Sequence, residues 1–96
     1  QVCVGGRGIP PVFADQARQA FENLKRVLKE AGATLGDVVE LGTYHTDMGE
    51  MPAFSVVTAE FFPENYPAWT AVGVDALALP DLRVEIRATA VVGSAL

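Results

Sequence analysis

The sequence predicts a two-layer α+β domain. Two segments repeat their apolar residues with the period of a helix, four others are short and rich in β-branched and aromatic residues, and turn signals separate them. The resulting order, β-α-β-α-β-β, lets two amphipathic helices cover one face of a four-stranded sheet. At 96 residues, half of them apolar, the chain fits one domain over residues 1–96 and has no room for a second core.

Val2 to Val4 forms the first short strand and runs into a turn-rich loop, Gly5-Gly6-Arg7-Gly8-Ile9-Pro10-Pro11. Asp15 is the expected N-cap of the first helix. Ala17, Ala20, Phe21, Leu24, Val27, Leu28 and Ala31 then fall on one stripe, and Gly32 is the expected stop. Asp37 to Asp47 alternates as a strand, with Val39, Leu41, Thr43 and His45 on one face and Val38, Glu40, Gly42 and Tyr44 on the other. The second helix follows Met51-Pro52, carries Phe54, Val57, Phe61 and Phe62, and is stopped by Pro63. Ala68 to Val74 and Arg83 to Val92 are the last two strands, joined by a loop, Asp75 to Leu82, that turns at Pro80-Asp81.

The alternation suggests which residues meet the helices. Val84, Ile86, Ala88 and Ala90 are expected in the core, with Glu85, Arg87 and Thr89 pointing away. On the preceding strand, Thr70, Val72 and Val74 are expected under the helices, which would turn Trp69, Ala71 and Gly73 outward. An outer face mixing aromatic, small and charged groups suits a subunit interface that holds a ligand site.

Composition narrows the function. The net charge is −5, and the seven Lys and Arg are scattered except for Lys25-Arg26 and Lys29, which read as a solvated helix face. A nucleic-acid binder presents a basic face, so nucleic acid is not an expected partner. The apolar runs are too short for a membrane span. The first residues lack the basic head and apolar stretch of a signal peptide, and the chain opens abruptly inside an apparent strand, as a fragment or trimmed product would. Its one cysteine, Cys3, allows no internal disulfide and suits a reducing compartment; the cytoplasm is the expected location, and an inert packed thiol the expected state.

Seven motifs follow one another in order: Val4-Gly5-Gly6-Arg7-Gly8-Ile9-Pro10, Asp15-Gln16-Ala17-Arg18-Gln19-Ala20-Phe21-Glu22-Asn23-Leu24, Glu30-Ala31-Gly32-Ala33, Gly36-Asp37-Val38-Val39, Glu60-Phe61-Phe62, Tyr66-Pro67-Ala68 and Val84-Glu85-Ile86-Arg87-Ala88. In this ordered series the chain resembles the YjgF/Rid family, the reactive intermediate deaminases. The resemblance implies a chorismate-mutase-like two-layer sandwich, with both helices on one face of a mixed sheet, assembled as a homotrimer with clefts between subunits. Members usually have a further N-terminal strand, which is not expected within residues 1–96. The active members hydrolyse imines or enamines derived from amino acids to ammonia and a keto acid, without metal or organic cofactor.

Carried over residue by residue, the resemblance gives Glu85 the place of a Glu that positions water or moves a proton, and Gly6 the place of a loop glycine whose N–H holds the ligand. An Arg that clamps the substrate carboxylate falls on Trp69, in Pro67-Ala68-Trp69-Thr70. An indole offers one N–H and no charge, so it cannot replace a planar guanidinium fork. Ala71 stands where many members have Cys, Ser55 where an Asn often lines the site, and Arg7 where a Gln is common. Trp69 is either packed in the trimer interface or a stacking wall for a ligand. Glu85 is either in a salt bridge with Arg87 or Arg7, or a retained acid/base. His45, near a strand end, has no ligand-spaced His or Cys and reads as a satisfied surface or interface residue rather than a metal ligand. Two functions stay open: a deaminase-type hydrolase of a non-standard imine or enamine, or a non-catalytic trimer binding a small ligand or a protein partner in the same clefts.

Overall fold

The computed structural model of the chain describes the backbone of residues 2–3, and residues 11–64 and 66–94. Its elements are β1 (Val2–Cys3), α1 (Phe13–Glu30), β2 (Val38–His45), α2 (Met51–Phe61), β3 (Ala68–Gly73) and β4 (Val84–Ala90), with single 3₁₀ turns at Leu35–Asp37 and Met48–Glu50. This is the expected order. The sheet is mixed and runs β1-β4-β2-β3. β2 pairs parallel with β3 and antiparallel with β4, which pairs antiparallel with β1.

Helix α1 begins at Phe13, earlier than Asp15 suggested, and its N-cap Val12 makes no side-chain capping bond. Asp15 instead lies in the first turn, where it complements the helix dipole and approaches Arg18 at 3.7 Å. The other end follows the sequence reading. Gly32 has φ 79°, its N–H donates to the Lys29 carbonyl at 3.0 Å, and the Ala33 N–H reaches back to Leu28 at 2.8 Å, completing a Schellman stop. No atom lies within 4 Å of a Cβ built on Gly32, so a side chain there meets only backbone strain. Gly32→Ala is expected to cost about 1 kcal/mol of unfolding free energy, measured by urea denaturation; an unchanged midpoint would contradict this account.

The core lies between the helices and one face of the sheet. Ala17, Ala20, Phe21, Leu24 and Leu28 of α1 are buried, whereas Val27 and Ala31, expected on the same stripe, are exposed. Phe21 stacks on Phe54 and Phe61 of α2, with ring centroids 5.7 and 5.0 Å apart. From the sheet come Val38, Leu41, Val84 and Ile86.

Two expectations about strand faces are corrected. At the start of β2, Val38 is 6% exposed and Val39 is 43% exposed, the reverse of the alternation. The cause is a register shift between Val38 and Glu40, where β2 has an extra residue against β4. Beyond the bulge the alternation holds through Leu41, Thr43 and His45. On β3, Trp69 and Ala71, not Thr70 and Val72, lie on the helix side. In register, Leu41 pairs with Trp69 and Thr43 with Ala71, and paired residues share a face. Thr70 and Val72 are exposed on the opposite face. On β4 the reading stands: Val84 and Ile86 are buried, Ala88 and Ala90 pack against the core, and Glu85, Arg87 and Thr89 alternate away from it.

Candidate functional site

The sheet divides the expected site residues between its two faces. Trp69 and Ala71 lie on the helix face of β3, an edge strand. Ser55 is half-buried on α2, on that same side of the sheet and next to Phe54. Glu85 is on the open face of β4, with β2 between it and β3. Gly6 and Arg7 lie outside the described residues. The chain by itself therefore does not bring Trp69 and Glu85 onto a common surface.

Trp69 is anchored from below. Its Nε1–H donates to Thr43 Oγ1 at 2.9 Å, and its ring tilts against Phe54 at 5.7 Å between centroids. Thr43 Oγ1 is also 2.7 Å from His45 Nε2. His45 is 0% exposed and sits edge-on to Phe54 at 4.7 Å, so the surface or interface position expected for it is wrong; alternation placed it correctly beside Leu41, and its polarity misled. Burial lowers its pKa from 6.5, because the imidazolium would lose its hydration. Its Nδ1 has no hydrogen-bond partner among the described residues. This Trp69–Thr43–His45 chain is the part of the site that motif reading missed; the signal available was two polar residues on the apolar face of β2.

On the open face, Glu85 pairs in register with Tyr44 of β2 and with Cys3 of β1, and Tyr44 pairs with Val72. Gly42 separates Thr70 from Arg87 in the next row. A half-buried carboxylate, a phenol and an exposed guanidinium thus share this face.

A second polar cluster ties the loop before β4 to both helices. Arg83 Nη1 donates to Glu50 Oε2 at 2.8 Å, Nη2 to the Pro11 carbonyl at 2.7 Å, and its backbone N–H to Gln16 Oε1 at 2.6 Å. Its guanidinium also lies over the Phe13 ring, 5.4 Å from the centroid. Burial raises the Glu50 pKa, opposed by the Arg83 charge and assisted by Asp47. On the surface, Arg18 forks onto Glu60 at 3.1 and 2.9 Å, which raises the Arg18 pKa and lowers that of Glu60. Among the described residues, no group of three His, Cys, Asp or Glu side chains is placed to hold a metal, and no helix is long and apolar enough to cross a membrane.

The family model described as Endoribonuclease L-PSP matches residues 5–92. The chain belongs to the YjgF/Rid (RutC, L-PSP) family. A Rid-family relative, the RutC family protein YjgH of Escherichia coli K12, is 40% identical over 90 residues, covering 88% of this chain and 69% of its own. The 2-iminobutanoate/2-iminopropanoate deaminase of Dermatophagoides farinae is 38% identical over 78 residues, covering 81% of this chain and 60% of its own. The chain thus spans less than two thirds of the mite protein. Among solved Rid-family structures, Rv2704 of Mycobacterium tuberculosis superposes with a TM-score of 0.83 at 38% identity, over 93% of this chain and 75% of that one. The Rid protein YyfB of Yersinia pestis gives 0.81 at 38% identity, over 94% and 72%.

Proposed function

We propose that this chain acts as a Rid-type hydrolase on imines or enamines that are not held by a carboxylate clamp. It would work in clefts between subunits of a cytoplasmic homotrimer, with small molecules rather than nucleic acid as substrates. The observation that carries this reading is the commitment of Trp69. Its single polar hydrogen is spent on Thr43, inside the subunit, so the position that resembles the family Arg offers a ligand an aromatic surface and no charge. Ala71, beside it on the same face of β3, leaves room instead of a thiol.

The separation of Trp69 from Glu85 supports a composite site. Strands lie about 4.8 Å apart, so β3 and β4 are roughly 10 Å apart across β2, and the two side chains start from opposite faces. A trimer would join the edge of one sheet to the open face of the next, with Gly6, Arg7, Ser55, Trp69 and Ala71 lining the cleft and Glu85 facing into it. The chemistry is a hydrolysis. Water adds across C=N, the nitrogen leaves as ammonia, and the carbon becomes a carbonyl. Glu85 takes the proton from water and returns it to nitrogen, so protons balance without an oxidant or reductant.

The test supplies the protein with freshly generated 2-aminoacrylate and, separately, with an N–H ketimine lacking a carboxylate, and measures ammonia and carbonyl release above the uncatalysed rate. The expected result is acceleration of the second and not the first. Acceleration of neither favours the alternative, a non-catalytic trimer that binds a ligand or partner protein in the same clefts. Trp69→Arg is expected to raise turnover of 2-aminoacrylate about ten-fold or more, since a charge-assisted bond to a carboxylate contributes about 1.5–3 kcal/mol. A monomer in sedimentation would sink the composite site.

A further inference from the structure

We propose that a groove along the C-terminal half of α1, on residues outside the cleft, binds a small organic anion with an apolar body. The groove has a volume of about 820 Å³. One wall is a helical stripe at i, i+3, i+4 and i+7, formed by Glu22, Lys25, Arg26 and Lys29; the other is Ala33 to Gly36, where the chain turns toward β2. Buried Ala33 and half-buried Leu35 make an apolar floor. The two sides are held together by the Schellman stop at Gly32 and by the Thr34 N–H, which donates to Asp37 Oδ2 at 2.9 Å.

Clustering distinguishes this groove on an acidic surface: Arg87, on the open face of β4, also has no carboxylate within ion-pair distance among the described residues, but it stands apart, whereas Lys25, Arg26 and Lys29 line one stripe. Arg18 and Arg83 are each satisfied by a carboxylate at 2.9 and 2.8 Å. In the groove, Lys25 meets Glu22 only at 4.0 Å. Arg26 Nη2 donates to the neutral Asn23 Oδ1 at 2.8 Å, and that oxygen also accepts from Gln19 at 3.0 Å, which orients the guanidinium without neutralising it. Among the described residues no carboxylate lies within ion-pair distance of Arg26 or Lys29. Three cations therefore face one acid around an apolar floor, on a chain of net charge −5.

The dimensions select a small ligand. Glu22 to Lys29 spans about 10 Å of helix, and the volume falls within the roughly 300–1,000 Å³ of small-molecule sites. A body of one or two rings fits against Ala33 and Leu35, with its phosphate or carboxylate at Arg26 and Lys29. A nucleic acid would gain at most three phosphate contacts here, with no aromatic platform among the lining residues.

The test is amide chemical-shift titration of the whole chain with 1-naphthyl phosphate, and with inorganic phosphate and 1-naphthol as controls. Saturable shifts are expected across residues 22–36, with each control about ten-fold weaker or more. Reversing charge with Arg26→Glu and Lys29→Glu should reduce affinity by about ten-fold or more while leaving the melting temperature within a few degrees. If that double variant does not fold, the wild-type affinity must still fall with added salt. Absent shifts in residues 22–36, equal binding of 1-naphthol, salt-independent binding, or tighter binding of a short RNA would each overturn the proposal.

Discussion

Replacing Phe54 by alanine is expected to lower the unfolding free energy by about 3–5 kcal/mol. The side chain is 0% exposed and its ring meets Phe13 at 6.3 Å, Phe21 at 5.7 Å, His45 at 4.7 Å and Trp69 at 5.7 Å. It is thus the contact between α1, α2 and the helix face of β2 and β3. A domain of this size has only about 5–15 kcal/mol in total, so the loss is a large share, and each kcal/mol corresponds to about 4–8 °C in melting temperature. Val39→Ala, at a 43% exposed position, is the contrasting control, expected within about 0.5 kcal/mol. The single tryptophan, Trp69, adds a second readout. Without Phe54 its ring loses one wall, so folded-state fluorescence should shift to the red. A loss under about 1 kcal/mol would show that the helix layer does not depend on this ring.

That same ring explains why the sequence located the strands but not every face. Period-2 reading decides a face only when one parity is clearly more apolar. On β4 it is: Val84 and Ile86 alternate with Glu85 and Arg87, and the structure agrees. On β3 one parity offers Trp69, Ala71 and Gly73 and the other Thr70 and Val72, so β propensity favoured the wrong set. Packing decides instead, because the indole has a flat partner in Phe54 and a hydrogen-bond acceptor in Thr43. The Val38/Glu40 bulge was likewise invisible, since an extra residue on one strand is defined by its partner strand.

The family resemblance rested on ordered motifs and did not depend on strand faces, so it survives these corrections. The division of the site does depend on them. With Trp69 turned outward, as alternation suggested, one subunit could have presented Trp69 and Glu85 together. With Trp69 against Phe54, the two side chains start from opposite faces of the sheet, which is why the proposed cleft is a composite one. The sequence could not show this, because it is a property of pairing between β2 and β3.

Stability is expected to fall as the pH drops below about 6.5, by up to about 1.4 kcal/mol per pH unit, because of His45. Burial lowers its pKa in the folded chain below the 6.5 of an exposed imidazole. Above that value the ring is neutral in both states and contributes no pH dependence. Below it the unfolded chain takes up a proton that the fold resists, and stability is lost until the pH passes the lowered folded pKa. The hydrogen bonds show why the fold resists. Thr43 Oγ1 is shared between Trp69 Nε1–H and His45 Nε2, and no carboxylate is paired with the ring. Protonating the ring would place a charge in this buried setting, where an imidazolium needs partners at both nitrogens and Nδ1 has none among the described residues. Between about pH 7.5 and pH 5 the loss should reach about 2 kcal/mol at most, read from urea midpoints. Glu50, with a raised pKa, acts in the opposite sense, because the fold holds its proton more firmly as the pH falls. Glu60, with a lowered pKa, adds a loss only at more acid pH. Both acids are common to wild type and His45→Gln, so the difference between the two profiles isolates the imidazole. That difference should vanish above about pH 7 apart from a constant offset, and open progressively below pH 6.5; parallel profiles down to about pH 5 would mean that His45 titrates in the fold as it does in water.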